Sequence, residues 1–358
     1  MKRKFEMRLF GLAVLNLLIA AFLFSPVSAA PIVIKLGHYS TADLPFPGQG
    51  IAPNVIVFKN YVEQASNGEM QVEIHPNAVL GSVRPMIELT QAGAIHMTVP
   101  YTSIMVPFVA EMGITQTPFL FKDHAVAYRT MQGHLGKELN ELWVKKTGTR
   151  ILSWPEGSGF RQVYTKNKMI KTPDDMKGLK IRVPENPGLL ALFSSFGAKT
   201  VTVTWTEVYT ALQTGVADSC ETELLSVEEA KLFEVMKYAT MLNHSYNVQP
   251  LIVNEKFFQS LSPKNQMILM RAAELGSIAH NGFCRTSENM VIEKAVKNGI
   301  KFYTPTGAEI DQFKQVGQKA YLDALRKSVS EEWIKKAFDA VAATEAEMAK
   351  EYQAKLKP

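Results

Sequence analysis

The sequence has 358 residues, of which 46% are hydrophobic and 20% are charged, and its formal net charge is +5. This length fits about two domains at roughly 100 to 200 residues each, and the apolar fraction is typical of globular folds with buried cores. So mild a charge excess does not indicate a surface for polyanions, so nucleic acid is not an expected partner.

The N-terminus has the pattern of a secretion signal. Four basic residues in the first eight positions precede an apolar run from Leu9 to Phe24, which only Asn16 interrupts. Pro26 ends this run, and Val27-Ser28-Ala29 supplies the small residues that a signal peptidase reads. Cleavage there removes residues 1–29, lowers the formal charge from +5 to +2, and predicts a periplasmic protein without membrane insertion. The alternative is an uncleaved anchor, but the apolar run is shorter than the roughly 20 residues that span a bilayer.

The mature chain begins with alternating strand and helix patterns, which predict an α/β domain. Short β-branched or alternating runs predict strands, and apolar residues at helical spacing predict helices. The elements expected in chain order are a strand at Ile32–Leu36, a helix at Val55–Gln64, a strand at Met70–Ile74, a helix at Pro85–Ala92 and a strand at Ile95–Val99.

A second series of the same kind begins near Phe160. Thr172-Pro173 predicts the start of a short helix, because a hydroxyl cap precedes a proline at the first helical position. An almost unbroken helical pattern from Ser262 to about Lys297 is long enough to link two lobes. The further expected elements are strands at Leu179–Val183 and Leu251–Val253, a helix at Thr206–Gln213, and a mainly helical stretch at Ala308–Tyr352.

Familiar catalytic motifs are absent from the sequence. There is no G-x-S-x-G, H-E-x-x-H, P-loop or G-x-G-x-x-G pattern, and no two of the seven histidines are spaced i, i+3 or i, i+4. We therefore expect no enzyme activity, no cofactor and no local metal site. Cys220 and Cys284 allow one disulfide, but a chain of this length does not need one, and two unpaired thiols are favoured.

The stretch from Phe160 to Leu225 resembles the DctP-type solute-binding proteins of TRAP transporters. The matching residues are Phe160-Arg161-Gln162, the run from Pro173 to Pro184 (PDDMKGLKIRVP), Phe196-Gly197-Ala198, the run from Trp205 to Asp218 (WTEVYTALQTGVAD), and Glu221. The likeness extends over nearly the whole mature chain, including Pro118-Phe119-Leu120-Phe121 and the Leu261-Ser262-Pro263 entry to the long helix.

This resemblance implies an α/β two-lobe periplasmic binding protein fold, similar to type II, with hinge strands and a long helix bracing both lobes. Lobe I is expected to comprise residues 30–157 and 248–287, and lobe II residues 158–247 and 288–358 with the C-terminal helices. The implied function is capture of a small organic anion, a carboxylate or a sulfonate, by lobe closure and delivery to the TRAP membrane permease. The alternatives are a periplasmic sensory module and a periplasmic hydrolase or lyase.

The resemblance also implies site residues. Arg182 matches the family arginine that forms a two-pronged salt bridge with the ligand carboxylate, and a guanidinium is suited to this because it is planar and stays charged when desolvated. Arg161 matches a second cationic position. Trp205 and Tyr209 are candidates for an aromatic wall of the cleft, with core packing as the alternative.

Four further positions complete the expected site. His244 lies where the chain returns between lobes, and His38 and Tyr39 follow the first strand on the other lobe. Where the family commonly has an asparagine, this chain has Thr222, whose hydroxyl cannot donate and accept through separate atoms as an amide does. We therefore expect a ligand that differs from the simple sialic-acid or dicarboxylate type, with Cys220 as another candidate for the pocket wall.

Overall fold

The computed structural model describes residues 30–41 and 50–356; the predicted signal peptide lies outside these residues. Strands and helices alternate through most of the chain, as the sequence pattern predicts. The strands are β1 (Ile32–Gly37), β2 (Met70–His75), β3 (Met97–Thr98), β4 (Thr149–Ser153), β5 (Glu156–Thr165), β6 (Lys180–Val183), β7 (Lys199–Thr202), β8 (Ser219–Glu223), β9 (Tyr238–Val248), β10 (Leu251–Asn254) and β11 (Lys301–Tyr303).

Helices surround these strands and range from one turn to about ten turns. The α-helices are α1 (Ala52–Ala65), α2 (Val83–Ala92), α3 (Thr102–Met105), α4 (His124–Gln132), α5 (His134–Thr147), α6 (Pro187–Ser195), α7 (Val208–Thr214), α8 (Leu224–Glu229), α9 (Glu255–Ser260), α10 (Pro263–Lys297), α11 (Gly307–Leu325) and α12 (Glu331–Leu356). Short 3₁₀ helices lie at Ala110–Gln116, Pro173–Met176, Trp205–Glu207 and Leu232–Glu234.

The strands form two sheets. The first sheet has the order β2-β1-β3-β10-β4, with β1 parallel to β3 and β10 antiparallel to both of its neighbours. The second sheet has the order β11-β9-β5-β8-β6-β7, with β6 parallel to β7 and β8, and β5 antiparallel to β8 and β9. The mixture reflects the connections, since parallel neighbours need a crossover and here helices supply several of them.

Two of the passages of the chain between the sheets are adjacent, and a third runs through the long helix from β10 to β11. The chain leaves the first sheet after β4 to enter β5, and it returns from β9 into β10. Because β5 and β9 are antiparallel neighbours, the two crossings lie side by side, and the Gln249 amide donates to the Pro155 carbonyl at 2.9 Å. The two sheets and their paired crossings confirm the predicted two-lobe fold with hinge strands.

The long helix α10 braces this arrangement. Ser262 caps its N-terminus by accepting a hydrogen bond from the Asn265 amide at 3.2 Å, with proline at the first helical position, as the sequence predicts. The helix packs against α1 and β4 beside the first sheet and against α8 and β5 beside the second. It therefore contacts elements of both halves of the fold.

The C-terminal helices pack on different parts of the fold. Helix α11 lies against α6, beside the second sheet, whereas α12 lies against α4 and α5, which precede β4. The predicted lobe boundaries place both helices with lobe II. The assignment of residues to lobes stays a prediction.

Candidate ligand-binding cleft

Side chains from both sheets line one cleft, which has an inner and an outer compartment. The inner compartment measures about 10 Å³ and the outer about 260 Å³. Tyr39, Tyr101, Arg182 and Trp205 line both, so the two compartments are continuous. The first sheet contributes the two tyrosines, which follow β1 and β3, and the second contributes Arg182 on β6. The compartments are further lined by Arg161, Thr222, Glu223, Ser226 and Asn247 (inner), and by Ser82, Val83, Arg84, Pro85, Ile104, Glu185 and residues 202–204, 206 and 207 (outer).

Arg182 is buried in the cleft wall. Strand alternation turns it away from its neighbours Ile181 and Val183, which lie in the hydrophobic core. Its Nε and Nη2 atoms donate to the Val203 carbonyl at 3.0 and 2.8 Å, and its guanidinium carbon lies 5.6 Å from the centre of the Trp205 ring. Although only 2% of the residue is exposed, no carboxylate of the described chain lies within 4.0 Å of it. Arg182 is therefore a buried cation without a protein counterion in the part of the chain that the structure describes.

Arg161, on strand β5 of the same sheet, is paired with two buried glutamates. Its Nε lies 2.5 Å from Glu221 Oε2, its Nη2 lies 2.8 Å from Glu221 Oε1, and its Nη1 contacts Glu223 Oε1. Burial alone would lower the pKa of Arg161, but the charges of Glu221 and Glu223 raise it overall. Arg161 thus lies in the wall of the inner compartment with its charge already compensated. Its predicted direct contact with the ligand stays a prediction.

The two histidines predicted for the site lie behind the lining residues. His244 Nε2 is 3.2 Å from Glu221 Oε2, so this fully buried ring backs the Arg161 network, and burial lowers its pKa. His38 is also fully buried, and burial lowers its pKa from 6.5 to about 4. Neither side chain is among those that line the two compartments.

Tyr39 faces the cleft next to His38. Its ring meets the Tyr101 ring edge to face at 5.5 Å, and its hydroxyl accepts a hydrogen bond from Gln249. Burial raises the pKa of Tyr101, while the charges of Arg182 and Arg161 oppose that rise. Both tyrosines are therefore neutral hydrogen-bonding groups beside the guanidinium at neutral pH.

The remaining predicted residues separate into two that line the cleft and two that do not. Trp205 lines both compartments, and Thr222 lines the inner one and donates to Glu223 Oε2 at 2.8 Å. Tyr209 instead donates to Glu234 Oε2 at 2.7 Å and is not a lining residue. The expectation that Cys220 lines the pocket is wrong: its side chain is buried in the core, where burial raises its thiol pKa to about 12. Both cysteines are free, as the sequence analysis favoured.

Tyr101 and Glu223 are cleft residues that the sequence analysis missed. Tyr101 follows β3, which is parallel to β1, so it emerges at the same sheet edge as Tyr39. Residues that follow parallel strands lie close together and commonly form binding sites, so Tyr101 could have been predicted from its place after β3. Glu223 adjoins Thr222, but its pairing with Arg161 depends on the register of β5 and β8.

A second polar network lies at the crossing between the sheets, away from the cleft. The buried Glu156 accepts hydrogen bonds from Tyr246 at 2.7 Å and from Arg285 Nε at 3.1 Å, and its carboxylate lies 3.2 Å from His124. Burial raises the pKa of Glu156, but His124, Arg285 and Tyr246 lower it overall. The network joins α4, β5, β9 and α10 at the point where the lobes connect.

The residues that the structure describes contain neither a metal-binding cluster nor a membrane-spanning helix. Within residues 30–41 and 50–356, no cluster of three or more histidine, cysteine or acidic side chains is arranged to hold a metal ion. None of the helices in these residues is both apolar and long enough to span a bilayer.

Two lobes joined by paired crossings, with a buried arginine in the cleft between their sheets, are the architecture of a solute-binding protein. The family described as "Bacterial extracellular solute-binding protein, family 7" (DctP) matches residues 50–328, and the chain belongs to this family. Known members of the family are transport proteins that bind solutes, and relatives are named as periplasmic.

Three similar proteins illustrate the family. The C4-dicarboxylate-binding periplasmic protein DctP of Rhodobacter capsulatus is 32% identical over 294 residues, covering 81% of this chain and 86% of that protein. The 2,3-diketo-L-gulonate-binding periplasmic protein YiaO of Escherichia coli is 29% identical over 278 residues, covering 78% and 81%. The crystal structure of the sugar acid binding protein of Advenella mimigardefordensis with galactonate has a TM-score of 0.82 at 25% identity, covering 88% of this chain and 99% of that one.

Proposed function

We propose that this protein captures a small organic anion with a carboxylate or sulfonate head, and that Arg182 is its main anchor. The observation that carries the proposal is the buried guanidinium of Arg182, which has no counterion among the described residues, although Arg161 beside it has two. Burying an unpaired charge is costly, so such a group marks a place where a ligand of opposite charge compensates it.

The hydrogen-bond geometry of Arg182 is consistent with an anion in the cleft. The bonds to the Val203 carbonyl come from Nε and Nη2, and the Tyr101 hydroxyl also lies within hydrogen-bonding reach of the guanidinium, so a ligand would share the remaining N–H groups with Tyr101. Tyr101 lies beside the guanidinium on the opposite side of the cleft and would add a hydroxyl donor. A planar guanidinium binds a carboxylate through two parallel hydrogen bonds, which fixes orientation as well as charge.

Contacts across the cleft support capture by lobe closure. Arg84 on α2 donates to both carboxylate oxygens of Glu185, which follows β6, at 2.9 and 3.0 Å. Near the end of α8, Glu229 accepts hydrogen bonds from the Ser40 hydroxyl and, at 3.0 Å, from the Thr41 amide. These contacts join the first-sheet side of the cleft to the second-sheet side. We take the first side to be lobe I, residues 30–157 plus 248–287, and the second side to be lobe II, residues 158–247 plus 288–358. A ligand that touches both sides stabilises the state in which they meet.

The proposed setting is the periplasm, and the proposed partner is a TRAP membrane permease. Relatives of this chain are named as periplasmic binding proteins, and the first 29 residues have the pattern of a cleavable signal. Delivery requires the anion to be released unchanged, so the proposal includes no catalysis.

Binding calorimetry with organic acids tests the anchor. Wild-type protein should bind at least one carboxylate, and Arg182→Ala should weaken that binding at least a hundredfold, because breaking a buried ion pair costs about 3 to 5 kcal/mol. Arg182→Lys keeps the charge but loses the planar fork, so it should also bind poorly. Arg150→Ala is the matched control, since Arg150 pairs with Glu255 outside the cleft. Equal binding by wild type and a folded Arg182→Ala variant would overturn the proposal.

A further inference from the structure

The outer compartment of the cleft is the feature that narrows the ligand class. We infer that the ligand of this protein is a monocarboxylate with a short apolar tail, whose head binds Arg182 and whose tail fills the outer compartment. This inference rests on the proposed function, because it takes Arg182 as the anchor. It separates this chain from relatives named for a dicarboxylate or for sugar acids.

The wall of the outer compartment is largely apolar. Val83, Pro85 and Ile104 line it from the first-sheet side, and the rings of Tyr101 and Trp205 close it next to Arg182. Its volume of about 260 Å³ lies just below the usual range of roughly 300 to 1,000 Å³ for ligand pockets, so it suits a small group. An apolar tail placed there would leave water and contact carbon atoms on several sides.

Several polar groups around the outer compartment are already paired with each other, whereas the Ser82 and Thr202 hydroxyls make no hydrogen bond within the described residues. Arg84 and Glu185 form a two-pronged ion pair at its edge, and Thr204 donates to Glu207 Oε2 at 2.9 Å. A chain of ligand hydroxyls that enters such a space loses more hydrogen bonds to water than these two wall hydroxyls replace, which costs free energy. The compartment therefore disfavours the chain of hydroxyls of a sugar acid.

The inner compartment adds few polar contacts, which come from the Ser226 hydroxyl and the Asn247 amide nitrogen. Its volume of about 10 Å³ accommodates about one water molecule, so it holds little more than a single small polar group. Glu223 is occupied by Arg161 and Thr222, and the Tyr39 hydroxyl is occupied by Gln249. Room for one small group beside Arg182 fits a hydroxyl or oxo substituent next to the carboxylate, but not a polyol.

A second carboxylate has no cation to bind in this cleft. Of the arginines that line the two compartments in the described chain, Arg161 is compensated by Glu221 and Glu223, and Arg84 by Glu185. Only Arg182 lacks a counterion there. The second carboxylate of a dicarboxylate would thus lie near glutamates without a cation to pair with, whereas the single charge of a monocarboxylate matches the single unpaired cation.

A series of sodium salts tests the inference by calorimetry on the purified protein at constant pH and ionic strength. The probes are propanoate, pentanoate and 4-methylpentanoate for the apolar series, with D-gluconate as the polyol and succinate as the dicarboxylate. We expect affinity to rise about fourfold per buried methylene, which corresponds to about 0.8 kcal/mol each, until the compartment is full. Gluconate and succinate should bind roughly tenfold or more weakly than 4-methylpentanoate.

A pair of isoleucine variants locates the tail. Ile104→Ala removes part of the compartment wall, whereas Ile334→Ala removes a similarly buried side chain on α12; the two residues are 9% and 5% exposed. We expect Ile104→Ala to weaken 4-methylpentanoate about fivefold or more and to leave propanoate within about twofold, and Ile334→Ala to change neither. If Ile104→Ala does not fold, the wild-type series decides the question by itself.

The outcomes distinguish failure of the tail from failure of the anchor. Tighter binding of gluconate or succinate than of 4-methylpentanoate, with loss of binding in Arg182→Ala, would overturn the apolar tail and leave the anchor intact. Equal binding of all five acids by wild type would do the same. Binding of any of these acids that persists in Arg182→Ala, or no binding of any acid by wild type, would overturn the proposed function itself.

Discussion

Replacing Arg161 should destabilise this protein more than replacing the proposed anchor, Arg182. Arg161 is 3% exposed and forms salt bridges with Glu221 and Glu223, so Arg161→Met would leave two buried carboxylates without their cation. Breaking a buried pair in this way costs about 3 to 5 kcal/mol. That is a large part of the roughly 5 to 15 kcal/mol by which a typical domain is stable.

The same change at Arg182 should lower the unfolding free energy by much less. Arg182→Met leaves the Val203 carbonyl without its donor, which costs about 1 to 3 kcal/mol, and it leaves no carboxylate unpaired among the described residues. The difference in unfolding free energy between the two variants should therefore be about 2 kcal/mol. Urea unfolding followed by circular dichroism measures it, and the two side chains are matched in type and burial.

The effect of Arg161→Met should also depend on pH. In the native protein, burial would raise the pKa of Glu221, but Arg161 and His244 lower it overall, so its ionised form stabilises the fold above the ordinary pKa of 4.5. Without Arg161, burial should raise that pKa above its unfolded value, so stability should fall as pH rises. The gap between wild type and variant should widen from pH 5 to pH 8. Equal losses for the two arginine variants, or a gap that does not change with pH, would refute this account of the network.

Three further predictions concern stability and ligand release. His38 has its pKa lowered from 6.5 to about 4 by burial, so its stabilising contribution is present above pH 6.5 and is lost as pH falls towards 4. Lowering the pH from about 7.5 to 5 should therefore reduce the unfolding free energy by about 2 kcal/mol through this residue. In urea unfolding, His38→Gln should lose that part of the pH dependence, whereas the control His134→Gln, at an exposed position, should retain it. Arg84→Ala should change stability by about 1 kcal/mol or less but speed ligand release in stopped-flow experiments, because its bond to Glu185 joins the two sides of the cleft; unchanged release would contradict closure at this edge. Gly317→Ala should lower stability by up to about 2 kcal/mol, because a Cβ there would lie 2.4 Å from a side-chain carbon of α6 and the overpacking should outweigh the gain of about 1 kcal/mol in helix propensity; an increase in stability would contradict tight packing of α11 on α6.

The elements that local sequence patterns predicted lie mostly near the expected residues, but many described elements, including β4, β5, β8 and β9, were not predicted. The expected helix at Val55–Gln64 is α1 (Ala52–Ala65), and the expected long helix from Ser262 to Lys297 is α10 (Pro263–Lys297). Both were predicted from residues close together in sequence: α1 from apolar residues at helical spacing, and α10 from a capping serine that precedes a proline. The strand expected at Ile95–Val99 is shorter in the structure, at Met97–Thr98. Its length depends on pairing with β1 and β10, and not on how many apolar residues the segment contains.

The charge state of the cleft could not be predicted from local patterns. Arg161 and Glu223 become neighbours because β5 and β8 pair in antiparallel register, and this register is a long-range property of the fold. Likewise, Cys220 is one residue from Glu221 in sequence, but strand alternation turns it into the core. The family pattern therefore indicated residues that line the cleft, such as Arg182 and Thr222, together with others that do not, such as Tyr209 and His244, and the structure was needed to show which arginine remains without a counterion.

A crystal structure of the protein with a bound carboxylate would show directly whether Arg182 anchors the ligand. We expect both carboxylate oxygens to lie within about 3.2 Å of nitrogen or hydroxyl donors, with Arg182 Nη1 as one of them. On our proposal, the rest of the ligand lies in the outer compartment, between Ile104 and Trp205. A carboxylate bound to Arg161 with Arg182 unoccupied, or a ligand bound outside this cleft, would contradict it.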